Sequence, residues 1–104
     1  MFIGTLVFSQ DCIKFNRVRD LNTDEIEKQN VLVCTYPKEK VLTVKGIPFN
    51  ITDADETDKS IVLLGVNSKG AEFLFISYKH SNVVDIYSED VRMNVRLYSV
   101  EEFY

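Results

Sequence analysis

The one histidine of this chain is the natural place to look for catalytic chemistry. His80 lies within SYKHSNVVD, near Ser77, Ser81 and Asp85. A serine nucleophile needs a histidine base held against it and hydrogen-bond donors arranged for the oxyanion. A short hairpin loop supplies neither of these. We therefore interpret His80 as an exposed loop residue, and we predict that the chain is not an enzyme.

The acidic segment TDADETD has the oxygen-rich composition of a calcium-binding loop. An EF-hand loop that began at Asp53 would need glycine at its sixth position and glutamate at its twelfth. Asp58 and Leu64 occupy those two positions. Zinc is disfavoured as well, because Cys12 and Cys34 lack the close spacing of paired metal ligands. We expect a solvated acidic loop, no metal site and no cofactor.

The two cysteines also bear on the compartment. Cys12 and Cys34 lie in strand-like segments, and the apolar opening MFIGTLVFS lacks the basic residues and the cleavage site of a signal peptide. Without a secretory signal, free thiols are favoured over a disulfide. The apolar runs are far shorter than the ~20 residues of a transmembrane helix. We expect two free thiols, a cytoplasmic location and no membrane association.

Basic residues are interleaved with an aromatic side chain in KFNRVR, a pattern that can follow single-stranded nucleic acid. The whole chain carries a net charge of −4. Residues 1–50 carry seven basic and six acidic side chains (+1), and residues 51–104 carry five and ten (−5). This charge opposes binding to nucleic acid, in which Lys and Arg must replace counterions. We interpret the basic segment as a solvated face and predict no nucleic-acid partner.

Arginine and tyrosine near the carboxyl end are the strongest candidates for binding. Both residue types are enriched at the energetic centres of protein interfaces. Four of them are predicted to share one outward sheet face: Tyr87, Arg92, Arg96 and Tyr98. The alternative is a stack of tyrosine on arginine that only stabilises a solvated sheet, by about 0.5–1 kcal/mol. We take these four residues as the predicted partner-binding set.

Side-chain alternation determines which residues of the last two strands share a face. A slip of one residue would move every side chain of a strand to the opposite face of the sheet. An even number of loop residues keeps the apolar positions together, whereas an odd number would place Asp85 against Met93. The predicted register therefore pairs Ile86 with Met93 and Tyr87 with Arg92.

The segment IVLLGVNSKGAEFLFISY, residues 61–78, reads as a hairpin that is apolar on both faces. NSKG suits a type I turn followed by Gly70 in a left-handed conformation. That turn places Leu63 opposite Phe75 and Gly65 beneath Phe73. We expect this aromatic face to line the core.

The second face of the same hairpin needs cover as well. It carries four apolar side chains: Val62, Leu64, Leu74 and Ile76. An exposed patch of this kind approaches the size seen at binding sites. The predicted cover is the helix of residues 21–30 or the carboxyl-terminal VEEFY, and the alternative is another chain.

Many short strand-like segments with regularly spaced turns favour an all-β fold. We predict that residues 1–104 form one β-rich domain, a compact antiparallel barrel or roll that ends in a four-strand meander. Residues 2–8 and 12–18 make its first strand pair. One short helix is expected over 21–30, with Asn22 or Thr23 as its cap and an acidic first turn.

These observations favour a small acidic, non-catalytic interaction module of the inhibitor, immunity or adaptor type. Its predicted partner is another protein, or a second copy of this chain, bound through the outward sheet face. The alternative is a small β-barrel that holds an apolar small molecule. The interior aromatics predicted to line that pocket are Tyr36, Phe49, Phe73 and Phe75.

Overall fold

The computed structural model describes residues 11–101, which form a closed antiparallel β-barrel. Its strands are β1 (Asp11–Asp20), β2 (Ile26–Tyr36), β3 (Val41–Val44), β4 (Ile47–Glu56), β5 (Ser60–Val66), β6 (Glu72–Tyr78), β7 (Val84–Ser88) and β8 (Met93–Tyr98). Each strand pairs with the next one, and β8 pairs with β1, which closes the sheet. The predicted all-β antiparallel barrel and its carboxyl-terminal meander are confirmed. The predicted strand 2–8 lies outside the described residues.

The predicted helix over residues 21–30 is wrong, because this segment forms a turn and the start of β2. The carboxylate Oδ1 of Asp20 accepts hydrogen bonds from the backbone N–H of Asn22, at 2.8 Å, and of Thr23, at 3.3 Å. These bonds hold the chain in a turn, as aspartate often does. A two-turn helix with two apolar contacts could not persist by itself, whereas extension of β2 pairs its backbone with β1.

Inward-pointing side chains from all eight strands fill the barrel. The buried core consists of Phe15, Val31, Val33, Leu42, Phe49, Leu63, Phe73, Phe75, Val84, Ile86 and Leu97. The rings of Phe49 and Phe73 meet edge to face with centroids 4.8 Å apart, and Phe75 lies 5.1 Å from Phe49. Edge-to-face contacts of this kind are favourable beyond the area that they bury.

The hairpin of β5 and β6 has the predicted register. Gly70 has a φ of 84°, and its N–H donates to the carbonyl of Asn67 at 3.1 Å. Leu63 lies opposite Phe75 and Gly65 opposite Phe73. The aromatic face lines the core, as expected.

The predicted pairing of β7 with β8 is correct in side-chain parity but wrong by two residues. Ile86 lies opposite Val95 instead of Met93, and Tyr87 lies opposite Asn94 instead of Arg92. Arg92 belongs to the turn 89–92, where it adopts a φ of 55°. Turns of two and of four residues keep the same faces together, so parity alone could not distinguish them.

The prediction of free thiols is also wrong, because Cys12 and Cys34 form a disulfide. The two residues are direct partners on β1 and β2, with Cα atoms 4.0 Å apart. The predicted pairing of residues 12–18 with 2–8 does not by itself bring Cys12 next to Cys34. Within residues 11–101, no helix is long and apolar enough to cross a membrane.

Candidate binding surface

The outward side chains of β4 to β8 and β1 line up in rows across the outer wall of the barrel. Cross-strand partners define each row, because directly opposed residues share a face. The first row runs Asp53, Leu64, Leu74, Tyr87, Asn94. The second row runs Asp55, Val62, Ile76, Asp85, Arg96, Arg19. Both rows begin at an aspartate of β4 and cross an apolar centre on β5 and β6. The second row ends at Arg96 and Arg19, which form the basic edge of the outer wall.

The apolar centre is the second hairpin face predicted above. Its four members, Val62, Leu64, Leu74 and Ile76, are all half-buried. The predicted helical cover is absent, because residues 21–30 form no helix. Of the predicted cover VEEFY, residues 102–104 lie outside the described residues, and Val100 is held at β1, where the side chain of Asn16 makes two hydrogen bonds of 2.9 Å to its backbone.

An ion pair lies next to this apolar centre. The guanidinium of Arg96 donates from Nε to Oδ1 of Asp85 at 2.7 Å and from Nη2 to Oδ2 at 2.9 Å. The hydroxyl of Tyr78 donates to the same Oδ2 at 2.9 Å. Asp85 is only 8% exposed although its strand position faces away from the core. The three side chains form a fully hydrogen-bonded cluster, which we call the Asp85 cluster.

Burial and hydrogen bonding shift the pKa of Asp85 in opposite directions. Burial alone would raise the pKa of Asp85, but its hydrogen bonds from Arg96 and Tyr78 and the charge of Arg96 hold that pKa below its usual value. The bond to Asp85, together with burial, raises the pKa of the Tyr78 hydroxyl. The same carboxylate raises the pKa of Arg96. Near neutral pH the cluster therefore holds a carboxylate, a guanidinium and a neutral phenol.

The structure keeps three residues of the predicted partner-binding set on one outward face and separates the fourth, Arg92. Arg96 and Tyr98 are outward-facing on β8, and Tyr87 is outward-facing on β7 and 41% exposed. Tyr87 lies directly beside Leu74, so it extends the apolar centre. Arg92 is exposed in the turn at one end of the barrel and does not lie opposite Tyr87.

A shallow open groove of about 390 Å³ lies at the basic edge of the wall. Its lining residues are Arg19, Asn82, Val83, Arg96, Tyr98 and Ser99. Arg19 lies directly opposite Arg96, and its Nε donates to Oδ1 of Asp24 at 2.7 Å. Two cross-strand arginines are thus among the residues that line the groove.

The closure of the barrel positions the groove. The pairing of β1 with β2 shifts between Phe15 and Arg17, where Asn16 alone faces two residues of β2, Gln29 and Asn30. The Asn16 side chain bonds both the N–H and the carbonyl of Val100, and the Ser99 hydroxyl donates to the carbonyl of Lys14 at 3.3 Å. These bonds hold residues 99–100 along β1 and place Ser99 at the groove.

Sequence reasoning missed most of this arrangement. The register predicted from the sequence places Asp85 opposite Asn94, and the predicted site residues do not include Tyr78, Arg19 or Asn82. One signal was present: Asp85 interrupts the apolar run VVDIYS, and a buried carboxylate needs a cation. A search for that cation on the final strand favours the register that brings Arg96 opposite it.

The residues considered for catalysis and for metal binding do not come together in one site among the described residues. His80 is exposed in the turn between β6 and β7, whereas Ser77 pairs inward with Val84. Asp53 and Asp55 lie in β4, and each accepts a hydrogen bond from the next backbone N–H. In the part of the chain that the structure describes, no three His, Cys, Asp or Glu residues are grouped to hold a metal ion.

Comparisons with models of known protein families, with curated proteins and with solved structures found no match to this chain.

Proposed function

We propose that this chain is a small non-catalytic interaction module that binds another protein through the outer wall of β5 to β8. The observation that carries the proposal is the continuity of that wall. Leu74 lies beside Tyr87, and Ile76 lies beside Asp85 and its partner Arg96. An apolar centre thus adjoins an exposed tyrosine and a fixed arginine.

This composition matches the anatomy of protein interfaces. Their energetic centres are enriched in Tyr and Arg and lie in the desolvated, apolar middle of the interface, where the surrounding contacts exclude water. The two hydrogen bonds to Asp85 hold the Arg96 side chain before any partner arrives. A preorganised side chain loses less conformational entropy on binding. The proposed roles are apolar contact for Leu74 and Tyr87, and polar anchoring for Arg96 and Tyr98.

An inhibitor, immunity or adaptor protein would use such a surface without chemistry of its own. The partner is another protein or a second copy of this chain. The compartment is a separate part of the proposal. The cytoplasmic expectation rested on free thiols, whereas Cys12 and Cys34 are joined. Because disulfides are rare in the cytosol, this bond favours an oxidising compartment.

The alternative, a barrel that holds an apolar small molecule, has less support. The rings of Phe49, Phe73 and Phe75 contact one another at centroid distances of 4.8 to 6.3 Å. A ligand between these rings would have to separate them. We therefore favour binding at the outer wall over binding in the interior.

Photo-crosslinking from the wall tests the proposed function. A photoreactive phenylalanine analogue replaces Tyr87, and a matched chain carries it at Glu39, in the exposed turn between β2 and β3. In extract of the native host, we expect a discrete protein adduct, or an adduct with a second copy, from position 87 only. Excess unlabelled chain should suppress this adduct.

Competition by variants then locates the contact. Excess Tyr98→Ala or Leu74→Arg chain should compete less well than excess unmodified chain. Circular dichroism and thermal unfolding should show that both variants are folded. The proposal would be contradicted if every folded variant competed as well as the unmodified chain. It would also be contradicted if positions 87 and 39 gave identical adducts.

A further inference from the structure

We propose that the groove at the basic edge of the wall takes a carboxylate from an acidic segment of the partner protein. This inference rests on the proposed function and names the chemistry of one contact within it. It concerns the residues Arg19, Asn82, Arg96, Tyr98 and Ser99, which line the groove together with Val83.

The first observation is a pair of arginines that directly face each other. Arg19 on β1 and Arg96 on β8 are cross-strand partners. Like charges in this position destabilise a sheet unless anions compensate them. Each arginine has one acid of its own, Asp24 for Arg19 and Asp85 for Arg96. Both arginines line the groove.

The second observation is the number of donors that these ion pairs use. Both arginines employ Nε and Nη2 in their pairs, and Nη1 takes no part in either. A guanidinium has five N–H donors, and a carboxylate accepts about four hydrogen bonds. A carboxylate in the groove would therefore find donors on both arginines, with charge-assisted bonds that are about twice as strong as neutral ones.

The third observation is that the two resident acids differ in exposure. The Asp85 side chain is 12% exposed and fixed between β6 and β8, whereas that of Asp24 is 71% exposed in the turn before β2. An exposed ion pair contributes about 0–1 kcal/mol. An incoming carboxylate can therefore displace Asp24 from Arg19 at small cost, while Asp85 keeps Arg96 in place.

The remaining walls suit an acidic side chain on a docked peptide segment. Asn82, Val83, Tyr98 and Ser99 line the groove beside the two arginines, although the Ser99 hydroxyl already donates to the carbonyl of Lys14. The volume of about 390 Å³ is at the small end of ligand pockets, and the groove is open. One carboxylate side chain with its neighbouring backbone fits this space better than a large organic ligand would.

The test is a titration with a defined probe. The probe is an acetylated and amidated peptide, Gly-Glu-Glu-Tyr-Glu-Gly, and its control carries Gln at each Glu. Proton–nitrogen NMR spectra report the Nε–H groups of Arg19 and Arg96 and the amide of Ser99. We expect these signals to shift and saturate with the acidic peptide, and not with the Gln peptide or with inorganic phosphate at equal concentration.

Two substitutions should change the affinity for the acidic peptide in opposite directions. Arg19→Gln should weaken binding of the acidic peptide about five-fold, a loss of the size expected for one charged contact. Asp24→Asn should strengthen it about two-fold, because it frees Arg19. Asp58→Asn makes the same change in net charge in the exposed turn before β5, and it should have little effect.

Several outcomes would overturn the inference: no saturable shifts, equal shifts with the Gln peptide or phosphate, or equal effects of Asp24→Asn and Asp58→Asn. The proposed function is tested separately by the adduct at position 87. If that adduct persists while the titration fails, the partner binds the wall and the carboxylate contact is wrong. If the adduct fails its controls, the proposed function itself is wrong.

Discussion

Asp85 and Arg96 lie directly opposite each other on β7 and β8, joined by hydrogen bonds of 2.7 and 2.9 Å. Their side chains lie on the outer face of the sheet, yet Asp85 is as buried as a core residue. A buried carboxylate is tolerated only when it is paired and hydrogen-bonded. The pair therefore links the stability of the barrel to the geometry of the proposed binding surface.

Loss of Arg96 should destabilise the fold far more than loss of Arg19. Arg96→Met leaves the buried Asp85 with the Tyr78 hydroxyl as its remaining side-chain donor, and we expect a loss of about 2–3 kcal/mol in the free energy of unfolding. This is below the full cost of a broken buried pair, because the Arg96 side chain is 39% exposed. Arg19→Met should cost less than about 1 kcal/mol, because Asp24 is exposed.

Urea unfolding of the two variants checks this difference. A double variant, Asp85→Leu with Arg96→Met, should recover much of the loss, because no charge then remains buried. Equal losses for Arg96→Met and Arg19→Met would contradict the role assigned to the Asp85 cluster.

The Asp85 cluster should also limit stability at both ends of the pH range. The folded pKa of Asp85 is lowered, so its contribution is complete above its ordinary value of about 4 and is lost as the pH falls through the folded value. The folded pKa of Tyr78 is raised, so its contribution is complete below about 10 and is lost as the pH rises through the folded value.

Tyr78→Phe isolates the alkaline part of this dependence. The variant should be less stable than the unmodified chain at neutral pH by about 1.5 kcal/mol, the lower end of the range for a hydrogen bond to a charged group, because the bond is only part-buried. The difference should shrink above pH about 10, because only the unmodified chain has a phenol to ionise at position 78. Urea midpoints of both chains from neutral to alkaline pH measure it, and a constant difference would argue against the Tyr78–Asp85 bond.

Local turn chemistry explains which parts of the fold could be predicted from the sequence. Asn67 and Gly70 alone determine the turn of the β5–β6 hairpin, because few residues accept a positive φ. The register, the core face and the apolar outer face of that hairpin then follow from side-chain alternation. The residues near Asn22 predict a helix that does not form, because helix caps and turns favour the same residue types. Only the pairing of β2 with β1 selects the turn.

Long-range relationships could not be obtained in this way. Cys12 and Cys34 become neighbours only when β1 pairs with β2. Arg19 and Arg96 face each other only because the barrel closes between β1 and β8. The pairing of Asp85 with Arg96 is different, because the sequence contains a signal for it. Side-chain alternation alone allows more than one register, but the cost of burying an unpaired carboxylate favours the register that places Arg96 opposite Asp85. The groove combines three chain segments, and no local pattern marks it.

Gly65 should be intolerant of a side chain, although its conformation is ordinary. A Cβ atom at this position would lie 3.3 Å from the carbonyl oxygen of Asn50 and 3.3 Å from Cε2 of Phe75. Overpacking of a filled core typically costs 1–3 kcal/mol, so Gly65→Val should lower the free energy of unfolding by about 2–3 kcal/mol. The control is Gly46→Asn, where no atom lies within 4 Å and asparagine tolerates the positive φ.

Urea unfolding of the two glycine variants provides the measurement. The Gly46→Asn chain should remain within about 0.5 kcal/mol of the unmodified chain. A Gly65→Val chain of unchanged stability would mean that the Phe75 ring and β4 can move apart without cost.

The disulfide should stabilise the barrel by restricting its unfolded state. Cys12 and Cys34 are 22 residues apart, and closure of a loop of that size accounts for about 3 kcal/mol in the chain-entropy description. Reductant should therefore lower the urea midpoint of the unmodified chain, whereas a Cys12→Ser, Cys34→Ser chain should not respond to it. Mass spectrometry of the chain isolated from its host with free thiols blocked reports the bond directly: alkylation of both cysteines would contradict the disulfide, and no alkylation would place the chain in an oxidising compartment.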